Sequence, residues 1–128
     1  MNSIEATLIE VQKEPHLQLL EFKIASQRLS VINIANQESL EIGKSYRLHI
    51  QPTDITVVKE QNAIQTTANQ LVGVVKAIEP SKLLCSVIIE IENQRVEALI
   101  LKEYCDTIGL KEGEEIIILI NINGASLC

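Results

Sequence analysis

The second half of the chain repeats the first. Asn2, Ile24, Gln27 and Arg28 recur sixty-seven positions later as Asn69, Ile91, Gln94 and Arg95, and Leu40, Gly43 and Ile50 recur seventy positions later as Leu110, Gly113 and Ile120. A constant offset across so many residue types is the mark of a duplicated structural unit. The step in the offset falls in one loop, between Ile34 and Leu40 in the first copy and between Leu101 and Leu110 in the second, where KEYCDTIG stands for ANQES. Whatever the 128 residues fold into must therefore hold two like units, residues 1–60 and 68–128, joined by a polar, β-poor linker over residues 61–67. Units this small lie near the lower limit for an independent core, so the two are expected to pack together or to share strands.

Within each copy the local pattern is β. Short runs rich in Val, Ile and Leu predict strands over Ile4–Val11, Leu19–Ala25, Leu29–Ile34, Tyr46–Ile50 and Ile55–Val58, and again over Leu71–Ile78, Leu84–Ile91, Val96–Leu101, Ile116–Ile120 and Ala125–Leu127. Between the third and fourth strands of the second copy, Lys102–Ile108 predicts two helical turns closed by Gly109 as a left-handed cap. The first copy is expected to have only a turn there. Five strands with a small helix after the third is the order of an OB-like Greek-key barrel, which gives an all-β fold of two five-stranded OB-like barrels with a short helix in the second. The run Ile116 to Ile120 has no polar alternation, so both faces of that strand are expected to be covered.

Composition removes several function classes. A formal net charge of -6 and only three aromatic residues, Phe22, Tyr46 and Tyr104, leave neither a basic stripe nor stacking platforms for nucleic acid. The longest apolar run is far shorter than the roughly 20 residues of a membrane-spanning helix, and the first fifteen residues lack the pattern of a secretion signal, so a soluble cytoplasmic protein is expected. Cys85, Cys105 and Cys128 have no close spacing and read as free thiols. His16 and His49 have no ligand partner at metal spacing, and no nucleophile-base or P-loop signature is present, so neither a side-chain metal site nor an enzyme is expected. Gly73 reads as a close backbone approach or a barrel bend, and Gln27-Arg28 and Gln94-Arg95 as solvated hairpin tips.

The segment TTANQLVG, Thr66 to Gly73, followed by a valine-rich strand and later by IGLKEGEE and a final Ile-rich strand, resembles the molybdate-binding Mop (TOBE, molbindin) domain. That family's first strand opens approximately S-A-R-N-x-L-x-G and its middle ends in L-G-L-x-x-G. The first copy offers HIQPTDITVV, His49 to Val58, for the element after the fourth strand. The likeness runs over nearly the whole chain, in two copies, and extends to the C-terminal regulatory region of the molybdate importer ATPase.

The resemblance implies a homo-oligomer, trimer or dimer, that holds molybdate or tungstate between modules for storage, buffering or transport regulation. By position, Thr66, Thr67, Ala68 and Asn69 would supply hydroxyls and backbone N–H groups, and Gln51, Pro52, Thr53, Asn121, Ile122 and Asn123 would follow the fourth strands. A dianion can be held by several aimed neutral donors in a turn. Where the family has Arg beside its Asn this chain has Ala68, and where it has Lys after the fourth strand it has Gln51 and Asn121. Loss of both cations frames the alternative, a ligand-free interaction module that pairs with a molybdate transporter ATPase or a regulator.

Overall fold

A computed structural model describes residues 2–34, 39–59 and 68–127. Alternation of apolar and polar residues produces ten strands: β1 (Asn2–Lys13), β2 (Leu17–Ile24), β3 (Gln27–Ile34), β4 (Ser45–Ile50), β5 (Ile55–Val58), β6 (Ala68–Pro80), β7 (Leu84–Ile91), β8 (Gln94–Leu101), β9 (Glu115–Asn121) and β10 (Ala125–Leu127). Each falls where the sequence places one, and the longest, β1 and β6, extend beyond the expected ends. The turn expected after β3 and the linker over residues 61–67 lie wholly or partly outside the described residues.

The strands form two five-stranded sheets, in the orders β10-β4-β1-β2-β3 and β5-β9-β6-β7-β8, with antiparallel pairing throughout. The fold class is the one expected, two OB-like five-stranded units with one short helix. The two copies also exchange their last strands. β5 of the first copy pairs with β9, Ile55 opposite Ile120, and β10 of the second pairs with β4, Ala125 opposite Ile50. Sharing strands in this way gives each small unit a core it cannot complete alone.

One inward face per sheet makes the core. Leu8, Leu20, Phe22, Leu29 and Leu48 are fully buried in the first sheet, and Leu71, Val75, Val87, Ile89, Ile116 and Ile118 in the second. A register shift between Leu8 and Glu10, matched between Val75 and Ala77, bends β1 and β6 so that each serves two neighbours. On β9 the faces differ: Ile116, Ile118 and Ile120 are buried, whereas Ile117 and Leu119 are half-buried on the outer face beside Val72, which is 44% exposed. The outer cover expected for this strand is therefore partial within the chain.

The helix α1 (Lys102–Ile108) follows β8 and ends on Gly109 at φ 62°, ψ 45°, the left-handed cap that the sequence predicts. It buries Cys105 against Cys85 of β7, and burial, with Cys85 beside it, pushes the Cys105 thiol up to about 11. Lys59, just past the exchanged β5, donates to the Gly109 carbonyl at 3.1 Å and lies 2.9 Å from a Glu114 carboxylate oxygen. The contact with Lys59, with a further bond from the Lys111 N–H, holds the Glu114 carboxyl below its ordinary value near 4.5. A lowered carboxyl contributes stability that is present above that ordinary value and disappears as pH falls through the folded value. Glu114→Gln is therefore expected to melt slightly below the parent at neutral pH and to converge with it in acid, as melting curves taken down to about pH 3 would show. A constant gap across that range would assign the effect to packing.

Among the described residues no helix is long and apolar enough to cross a membrane.

Candidate functional site

The strand exchange places two short crossings side by side. Residues 51–54 leave the Ile50–Ala125 rung and reach the Ile55–Ile120 rung, while residues 121–124 travel the opposite way between the same two rungs. The first crossing is a 3-10 turn, Pro52–Asp54, with the Asp54 N–H on the Gln51 carbonyl at 2.9 Å. The second is a tight turn closed by the Gly124 N–H on the Asn121 carbonyl at 2.8 Å. They then splay: residues 52–54 pack on β8, and the Ile122 carbonyl accepts the Ile32 N–H of β3 at 2.8 Å. Six of the expected residues, Gln51, Pro52, Thr53, Asn121, Ile122 and Asn123, thus occupy one belt between the sheets. Gln51, Thr53, Asn121 and Asn123 are exposed there.

Ala68 opens β6 opposite Asn121, which puts the backbone of the TTANQLVG segment at the same belt. Thr66 and Thr67 lie outside the described residues. Asn69 is 8% exposed, and its carboxamide is held within the chain. Its Oδ1 accepts the Ser30 N–H at 2.7 Å, and its Nδ2 donates to the carbonyls of Ser30 at 2.8 Å and Ile120 at 3.1 Å. Both amide N–H groups are committed within the chain. Any part Asn69 plays toward an anion passes through its backbone, not its carboxamide.

The same device recurs three more times. Asn2 donates to the Glu97 carbonyl and accepts the Glu97 N–H, both at 2.8 Å. Gln27 donates to the Val72 carbonyl at 3.0 Å and accepts its N–H at 2.7 Å, and Gln94 treats Glu5 alike at 2.8 and 2.7 Å. In each case a carboxamide copies a backbone rung between strands that do not pair directly, β3 with β6 and β8 with β1. Free strand-edge N–H and C=O groups are satisfied in this way and the two curled sheets are closed on each other. Gln27 and Gln94 are therefore clasps between the copies, not the solvated tips expected of them. The signal was their recurrence at the same offset as Asn2 and Asn69.

The belt carries no cation of its own, since Lys and Arg are absent from residues 51–53, 68–69 and 121–123, and Asp54 adds a carboxylate at its rim. What it offers is hydroxyl, carboxamide and backbone donors around a turn pair, suited to an oxyanion held by neutral hydrogen bonds. Among the described residues no group of three or more His, Cys, Asp or Glu is placed to hold a metal ion.

No family model and no curated protein sequence matches the chain. Among solved structures, it is similar to the cytoplasmic molybdate-binding protein ModG, crystallised with molybdate bound, at 18% identity and a TM-score of 0.89 over 98% of this chain and 94% of that one. At that identity the likeness fixes the fold and extends along both copies.

Proposed function

We propose that the chain is a cytoplasmic tandem Mop-type protein that binds molybdate or tungstate at interfaces between modules, for storage, buffering or transport regulation. The observation that carries this reading is the pair of antiparallel crossings, which brings the residues following both fourth strands to one belt in a fold shared with a molybdate-binding protein. The outer face of β9, where Ile117 and Leu119 adjoin the exposed Val72, supplies an apolar strip for a homo-oligomer, trimer or dimer. Ligand bound between copies would add to the stability of the assembly in proportion to RT ln(1 + [L]/Kd).

Calorimetric titration with molybdate and tungstate, with sulfate as the control, tests the proposal. Saturable heat at about micromolar ligand for the first two, with a rise in melting temperature, is expected. The absence of heat at about millimolar ligand would reject it.

A second reading is favoured by the missing cations and by the internal commitment of the Asn69 carboxamide. In it the chain binds no oxyanion and docks on a molybdate transporter ATPase or regulator through the same apolar strip. Co-purification unchanged by molybdate would select this reading.

A further inference from the structure

Exposed apolar side chains gather where the helix joins the second sheet. Leu83, in the connection between β6 and β7, is 71% exposed, Leu101, at the end of β8, 50%, and Tyr104 of α1 61%. The backbone draws them together: Leu84 pairs with Leu101, and the Leu83 carbonyl accepts the Lys102 N–H at 2.8 Å. Leu101 stands between two hollows, one of about 530 Å³ shared with Lys82, Leu83 and Glu103, and one of about 370 Å³ shared with Tyr104 and Ile108. Apolar knobs set beside hollows mark a contact face. The patch belongs to the second copy. Pro15 and His16 stand at the first-copy positions equivalent to Lys82 and Leu83, and Tyr104 comes with the KEYCDTIG segment that replaces ANQES.

The charges around the patch indicate what covers it. Lys102 and Asp106, which also line the larger hollow, are locked to each other at 2.6 Å. Lys82 and Glu103 are exposed and line the same hollow, one from the connection before β7 and the other from the first turn of α1. Neither has an ion-pair partner among the described residues. A face with one cation and one anion beside an apolar centre is complementary to itself, because a two-fold axis beside Leu101 sets each Lys82 against the Glu103 of a second copy. A covering surface of a single sign would leave one of the two charges facing its like.

We propose that this patch pairs with the same patch of a second copy, in a two-fold contact separate from the β9 strip and from the belt between the crossings. The test is the mass of the full chain by light scattering at about 200 µM. Lys82→Glu and Glu103→Lys each place like charges across the axis twice, and each is expected to weaken association by about tenfold or more and to halve the mass of the parent assembly. An equimolar mixture of the two variants is expected to regain the parent mass, because Glu then meets Lys at both contacts, and so is the double variant. Both side chains lie on the surface, so the circular dichroism of each variant should match the parent's. A molybdate titration should be unaltered as well, which keeps failure here separable from failure of the oxyanion reading. A monomeric parent, single variants that keep the parent mass, or a mixture that stays at the lower mass would overturn the proposal and leave the patch to a different protein.

Discussion

Asn69→Ala is expected to destabilise the whole molecule by about 3 kcal/mol, read as a shift in the midpoint of urea unfolding with the slope unchanged. The substitution removes three hydrogen bonds and leaves the Ser30 N–H, the Ser30 carbonyl and the Ile120 carbonyl without that partner in a region water scarcely reaches. Each such group costs about 1 to 3 kcal/mol when buried unsatisfied, less what partial solvent access returns. Asn2→Ala removes only the two bonds to Glu97 and is expected to cost less, about 2 kcal/mol. Both variants should unfold in one transition, because the exchanged fifth strands tie the sheets into one cooperative unit. Two separated transitions, or a loss below about 0.5 kcal/mol for Asn69→Ala, would mean that packing alone holds the copies together. A loss of oxyanion binding in Asn69→Ala then has to be judged at matched stability, since the carboxamide acts on the interface first.

The strands were legible because a half-buried strand writes its faces into the sequence with a period of two, and Lys102–Ile108 with Gly109 carried a helix and its stop signal just as openly. The strand exchange was not. Ile55 would meet an apolar neighbour whether β5 returned to β4 or crossed to β9, and the same holds for Ala125, so residue types do not distinguish the two paths. The carboxamides were visible as a repeat and hidden as a function. Asn and Gln at strand entries suit an anion site, a solvated turn and a mimic of a backbone rung equally well, and only the third strand brought alongside decides among them.

Gly73→Ala is expected to cost about 2 to 3 kcal/mol although it adds a single methyl group. The added Cβ would lie 2.6 Å from Cγ2 of Ile89 and 3.0 Å from the backbone oxygen of Glu90, and the oxygen belongs to a paired strand that has no room to retreat. The first copy shows how the same place accepts an alanine. Ala6 stands at the position equivalent to Gly73 and is 3% exposed, and the residue equivalent to Ile89 is Phe22, fully buried and edge-on to Tyr46 at 6.4 Å between ring centroids. The phenylalanine has no methyl branch at its β-carbon, so the space that Cγ2 of Ile89 takes in one copy is filled by the alanine methyl in the other. The two pairs, Ala6 with Phe22 and Gly73 with Ile89, are alternative solutions to one packing problem. A double-mutant cycle measures the coupling: Ile89→Leu, which moves the branch away from the backbone, is expected to recover about 1 kcal/mol or more of the Gly73→Ala loss. Simple additivity would place the strain on the Glu90 carbonyl instead, and the backbone of β7, not the Ile89 side chain, would then be what requires glycine at position 73.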